Sequence, residues 1–195
     1  FMVTSAMLSE GKSTVSAYLA ITSAAYKQRN TVLVDCDLRR PSVHRLFGLD
    51  RKPGLTDIIT GKVTAEETFQ RTPFEHLSII TAGSPLRNPT ELFERQAVGE
   101  MIEQLKFYFD LVIVDCPPII PVSDPVMLAP FLEGILMVVK AGATQREVIA
   151  RACSIIKKAE GELIGVALNN MKSVLPYYYN HRYYGYSYSA RERLR

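Results

Sequence analysis

Short apolar runs recur along the chain, and between several of them lie stretches whose apolar positions repeat every three or four residues. The runs predict strands at Met2–Ser5, Thr31–Asp35, residues 77–81, Leu111–Asp115, residues 134–140 and residues 163–168. Their β-branched content and lack of alternation predict strands buried on both faces. Over residues 144–160, Val148, Ala152, Ile155, Ile156 and Ala159 fall on one helical stripe. Over residues 89–109, Met101, Ile102, Leu105 and Phe109 do the same. Both stripes face a core and carry no function of their own. Strands alternating with helices predict an α/β fold, a mostly parallel β-sheet with helices on both faces.

The patterning stops after Asn169 and Asn170. Seven of the ten tyrosines follow, at Tyr177, Tyr178, Tyr179, Tyr183, Tyr184, Tyr186 and Tyr188, with no periodicity to bury them. The expected division is a domain over residues 1–172 and a flexible tyrosine-rich C-terminal tail over 173–195, since terminal segments move unless tied down. An aromatic tail packed on the body or on a neighbour is the alternative. The first strand has only a few residues before the next element, where 5–6 is usual, so the chain is expected to start inside its domain. The longest apolar run, Ile135 to Val139, is far short of the roughly 20 residues that cross a bilayer.

A formal charge of +3, with Arg182, Arg191, Arg193 and Arg195 in the tail, supplies no concentrated basic face, so no nucleic-acid partner is expected. Cys36, Cys116 and Cys153 lack metal-ligand spacing and read as buried thiols of a reducing compartment.

Residues Ala6 to Thr14 follow a strand and open a helix, and they fit the Walker A pattern with Ala6 in place of its first glycine. Gly11 lets backbone amides approach phosphate oxygens. Lys12 places a point charge on the β- and γ-phosphates, and the Ser13 hydroxyl suits Mg²⁺. Leu8, Ser9, Glu10, Gly11, Lys12, Ser13 and Thr14 are therefore the candidate ATP-binding residues of a P-loop NTPase-type fold.

Two strands end in carboxylates: Asp35 and Asp37 on one, Asp115 on the other. Ligands of open α/β sheets bind at the carboxyl ends of strands, and a cation offsets the cost of burying such groups. With Lys12 they form the candidate catalytic set. A tyrosine hydroxyl, with a pKa near about 10, needs a proton acceptor, and Asp35 is the candidate. Asp37 and Asp115 then hold the water shell of the metal.

Together these residues resemble the bacterial tyrosine kinases (BY-kinases) of capsule and exopolysaccharide biosynthesis. The resemblance extends over Asp35-x-Asp37-x-Arg39, Arg39-Arg40-Pro41, Asn88-Pro89-Thr90-Glu91-Leu92, Asp115-Cys116-Pro117-Pro118 and the tyrosine cluster. It implies an ATP- and Mg²⁺-dependent protein-tyrosine autokinase that phosphorylates its own tail tyrosines, typically between subunits of a ring. It implies a membrane chain-length regulator as partner, fused upstream or separate, and a cytoplasmic place at the inner face of the membrane. Carried onto this chain, Ser13, Asp35 and Asp115 are the metal set, and Asn169 contacts the adenine. The family's upstream Glu-x-x-Arg-x-x-Arg helix does not occur here, in keeping with a truncated start.

Two other functions fit the phosphate loop. A partition-type ATPase switch hydrolyses ATP and phosphorylates nothing, but such loops carry an extra lysine where this chain has Met7. An inactive nucleotide-bound scaffold is the other, and the intact Lys12, Asp35 and Asp115 argue against it.

Overall fold

The computed structural model describes residues 1–94 and 97–171. The tail tyrosines Tyr177 to Tyr188 lie outside the described residues. Among the described residues seven strands form one sheet, β1 (Met2–Ser5), β2 (Thr31–Asp35), β3 (Gln70–Arg71), β4 (Leu77–Ile80), β5 (Leu111–Asp115), β6 (Ile135–Lys140) and β7 (Leu163–Asn169). Their spatial order is β3-β4-β2-β5-β1-β6-β7, and every pairing is parallel except β3 with β4. The expected mostly parallel sheet is present. The two-residue antiparallel edge β3 is too short and polar for its sequence to announce it.

Successive residues of each central strand point to opposite faces. Met2, Val32, Val34, Val114 and Met137 join one apolar cluster, and Val3, Leu33, Ile113 and Val138 join the other. The second face is covered by α1 (Lys12–Lys27), through Ala17, Ala20 and Ala24, and by α2 (Val43–Phe47), through Val43. Small residues on α1 let that helix lie close to the sheet. The first face is covered by α3 (Leu55–Ile59), α4 (Pro89–Glu94), α5 (Ala97–Tyr108), α6 (Asp124–Leu128) and α7 (Arg146–Lys158). The α5 residues Met101, Ile102 and Leu105 and the α7 residues Ala152 and Ile156 are buried in it, as their spacing predicts. Burying a side chain such as Ile113 stabilises the fold by roughly 1.5–3 kcal/mol, which makes the central strands a stiff base for the loops at their carboxyl ends.

One strand departs from the expectation of two buried faces. β7 is an edge, and Ile164, Val166 and Leu168 on it are about half exposed. Its apolar composition reads like that of a central strand, and only its place in the sheet order sets it apart. Cys36 and Cys116 are buried, whereas Cys153 on α7 is half-buried. No helix among the described residues is long and apolar enough to cross a membrane.

Candidate active site

β1, β2 and β5 lie side by side and end together, so their three following loops meet at one edge. Asp35 and Asp115 pair in register across β2 and β5. The loop after β1 folds over them and enters α1 at Gly11, whose φ of 92° is left-handed. Only a residue without a Cβ fits there: one added to Gly11 would sit 2.1 Å from Asn169 Nδ2. Ala6 is fully buried and is not among the residues with positive φ, so the turn there needs no glycine. The first turn of α1 carries no acidic residue, leaving its amides free for an anion.

Lys12 sits between the three loops. Its Nζ lies 2.7 Å from Asp37 Oδ2 and 3.7 Å from Asp115 Oδ2, and it donates to Ser13 Oγ at 3.1 Å. Burial would lower the Lys12 pKa, but the Asp115 and Asp37 carboxylates outweigh it and push the ammonium up. Lys12 is therefore a permanent cation.

The aspartates differ in surroundings. Asp35 is fully buried: its Oδ1 accepts from Asp37 N at 3.2 Å, and its Oδ2 accepts from Ser42 N at 3.1 Å and Val43 N at 3.0 Å. Burial, then the neighbouring Asp115 charge, raises its pKa from 3.8 to about 7. Asp37 Oδ1 accepts from Arg40 N at 3.0 Å while Oδ2 faces Lys12. Asp115 is also fully buried, and burial raises its pKa against the pull of Lys12, Ser13 and Ser16. Ser16 Oγ donates to Asp115 Oδ1 at 3.1 Å. Asp115 Oδ2 is buried without a hydrogen-bond partner.

That orphaned oxygen beside the Ser13 hydroxyl fits a divalent cation or one of its waters. Among the described residues no three acidic, histidine or cysteine side chains converge as a cage. This suits Mg²⁺, which takes one or two protein ligands and completes its shell with water and substrate phosphates.

A cleft of about 290 Å³ opens over the loop. Leu8, Ser9, Gly11, Lys12, Ser13 and Thr14 line it, together with Asp37 and Arg40. Asp35 and Asp115 lie beneath it. Two of the expected nucleotide ligands also make contacts within the protein. Glu10 is buried, with its carboxylate accepting from Met7 N at 2.6 Å and from the Thr144 hydroxyl, so it anchors the loop to the segment after β6. Asn169 donates to the Glu10 carbonyl at 2.9 Å and accepts from Asn170 N at 2.8 Å. In this structure its amide braces the phosphate loop.

Sequence motifs alone give Ser16 and Arg40 no role. Ser16 is one helical turn beyond Lys12, a spacing that places both on one face of α1, and that signal could have found it. Arg40 carries no such signal. Arg39 pairs with the fully buried Asp124 at 3.3 Å and donates to Thr90, which joins the Arg39-Arg40-Pro41 stretch to the start of α4.

Amides, a lysine and buried carboxylates gathered at the carboxyl edge of a parallel sheet define the P-loop class of nucleotide-binding proteins. Comparison with known proteins places the chain in that class. Residues 1–194 match the ParA family model, described as NUBPL iron-transfer P-loop NTPase. Tyrosine-protein kinase YwqD of Bacillus subtilis (strain 168) is 34% identical over 184 residues, covering 94% of this chain and 76% of that protein. Tyrosine-protein kinase wzc of Salmonella typhi is 30% identical over 189 residues, covering 97% of this chain but 26% of that protein. Among solved structures, the VpsO kinase domain superposes with a TM-score of 0.82 at 32% identity, covering 86% of this chain and 82% of that one. The chain belongs to the bacterial tyrosine-kinase family, a branch of the ParA-like P-loop proteins, and nucleotide binding comes with that membership.

Proposed function

We propose that this chain transfers the γ-phosphoryl group of ATP to tyrosines of its own or a neighbouring subunit's segment, Tyr177 to Tyr188, and so regulates capsular or exopolysaccharide synthesis and export. The observation that carries this reading is the convergence of Lys12 on Asp37 and Asp115 at the base of the phosphate cleft. Phosphoryl transfer rests on positioning and charge neutralisation. The loop amides and Lys12 bind and orient the phosphates, and the Ser13 hydroxyl and the orphaned Asp115 oxygen are the groups that would hold Mg²⁺. The ion, when bound, neutralises charge that develops on the phosphate oxygens.

Asp35 is the proposed acceptor of the phenolic proton, because a carboxyl that titrates near 7 is matched to that task at neutral pH. Asp37, which lines the cleft where Asp35 does not, orients water around the metal. Asp35→Asn and Asp37→Asn variants compared at saturating ATP separate the two roles: full transfer by Asp35→Asn removes it as the base.

A membrane chain-length regulator, fused or separate, is the proposed partner, and a ring of subunits at the inner face of the cell membrane the proposed setting. Relatives built like wzc, of which this chain spans about a quarter, support a fused or associated second part. The ParA family match keeps an ATPase switch as the second reading. Purified protein incubated with ATP and Mg²⁺ beside Lys12→Met decides between them. Tail phosphotyrosine in the intact chain alone is the expected result, and phosphate release without it would overturn the kinase in favour of the switch.

A further inference from the structure

Two consecutive arginines lie between Asp37 and Pro41, and the fold uses them differently. Arg39 is committed: its guanidinium pairs with the buried Asp124 at 3.3 Å and donates to Thr90. Arg40 is exposed and lines the phosphate cleft with Lys12, Asp37 and Ser42. Among the described residues its guanidinium has no ion pair and no hydrogen bond; only its backbone N–H is engaged. A guanidinium keeps its charge at any ordinary pH and can only donate. One that faces a cleft unpaired is available to an anion there.

The backbone of Arg40 is fixed although its side chain is free. Its N–H donates to Asp37 Oδ1 at 3.0 Å, and Ser42 N and Val43 N donate to Asp35 Oδ2 at 3.1 Å and 3.0 Å. The ion pair of Arg39 ties the preceding residue to α6. Pro41 is buried and restricts the backbone of the residue before it. Asp35 and Asp37 therefore position the residue that supplies the unpaired cation of the cleft. A donor held in place before the substrate arrives needs no reorganisation when charge develops beside it.

Lys12 and Arg40 are the two cationic residues among those lining the cleft. Lys12 already faces Asp37 at 2.7 Å and Asp115 at 3.7 Å, so much of its charge is matched without a nucleotide. We propose that Arg40 contacts the γ-phosphate of ATP and neutralises its oxygens during transfer. The proposal rests on the kinase reading. In that step the acceptor hydroxyl oxygen bonds to Pγ, and the bond from Pγ to the β–γ bridging oxygen breaks. The electron pair leaves with ADP, and the hydroxyl proton passes to Asp35. Arg40 gives up no proton. It donates hydrogen bonds to the Pγ oxygens over which the charge of the transition state is spread.

Calorimetric titration of the full chain with ADP and with a non-hydrolysable ATP analogue, both with Mg²⁺, tests the contact. Phosphotyrosine formation at saturating ATP tests its part in transfer. Arg40→Ala is expected to weaken the analogue by about tenfold, to leave ADP unchanged and to slow transfer by about 100-fold. Arg40→Lys should restore part of the analogue's affinity and less of the rate, because an ammonium is a point charge without the guanidinium fork. Arg45→Ala removes an equal charge from an exposed position on α2 outside the cleft, and should change none of the three. A ratio of analogue to ADP affinity in Arg40→Ala equal to the parent's overturns the proposal. So does transfer by Arg40→Ala at the parent's rate. A parent that releases phosphate without forming phosphotyrosine, while Arg40→Ala still loses the analogue, would refute the kinase reading and leave Arg40 on the γ-phosphate.

Discussion

Lys12 Nζ lies 2.7 Å from Asp37 Oδ2, so one ammonium links the phosphate loop to the segment after β2. Both side chains are nearly buried, with 12% and 5% of their surface exposed. Lys12→Met, the natural choice for an inactive control, therefore removes more than a phosphate ligand. It strands Asp37 and Asp115 without a counter-charge, which for a buried pair costs about 3–5 kcal/mol. ATP binding and transfer should fall by more than about 100-fold, the scale of a lost transition-state charge contact. Urea denaturation should show the variant much weaker than the parent at pH 7.5 and closer to it at lower pH, because burial raises the pKa of Asp115 and protonation removes its unpaired charge. Equal loss at both pH values would show that the lysine contributes by packing alone.

The Asp35 carboxyl makes the fold itself sensitive to pH. It titrates at about 7 in the folded chain and at 3.8 unfolded. Between those values the folded protein keeps a proton that the unfolded chain has lost, so stability falls as pH rises through the window. The contribution is complete below about 3.8 and gone above about 7. Unfolding free energies from denaturant titrations between pH 4.5 and 7.5, without Mg²⁺ or nucleotide, should decline with a slope of at most about 1.4 kcal/mol per pH unit from this group. Asp35→Asn should flatten the decline, and an unaltered slope would exclude Asp35 as its source.

The periodicities and strand-end carboxylates made the central architecture legible. Continuous runs such as Val32 to Val34 can be buried only in the middle of a sheet, and Gly11-Lys12-Ser13 after an apolar strand has few packing reasons to exist. The missing parts share a cause. Ile164, Val166 and Leu168 share one face of β7 and carry no local mark of their exposure, because that is set by which elements pack over the end of the sheet. The bracing role of Asn169 depends on a contact with Glu10 across 159 positions of sequence, and no local pattern encodes it. The short helices α2, α3 and α6 are five residues each, too brief to show a helical period.

Ser16 gives a test of how Asp115 is held. Its hydroxyl is the fully buried donor to Asp115 Oδ1. Ser16→Ala should cost about 1–3 kcal/mol, the usual consequence of leaving a buried acceptor unmatched. The loss should shrink when Mg²⁺ and a nucleotide are added, because a cation near Asp115 supplies the missing partner. Thermal midpoints of parent and variant, each with and without the ligands, give the comparison. A gap that stays the same with the ligands would place the metal away from Asp115.

Gly11 and Asn169 lend themselves to a double-mutant cycle. Gly11→Ala suffers two separable penalties: a left-handed φ, which costs a residue with a Cβ about 1–2 kcal/mol, and collision with the Asn169 amide 2.1 Å away. Asn169→Ala alone removes the brace on the Glu10 carbonyl and should raise the ATP concentration needed for half-saturation, with little loss of stability. Combined, the two changes should destabilise less than their sum, because the collision disappears while the backbone strain remains. The expected coupling is about 1–2 kcal/mol, within the range for residues in contact. Strict additivity would mean that the loop moves away from Asn169 when Gly11 changes, and would locate the anchor of the phosphate loop in Glu10 and Thr144 alone.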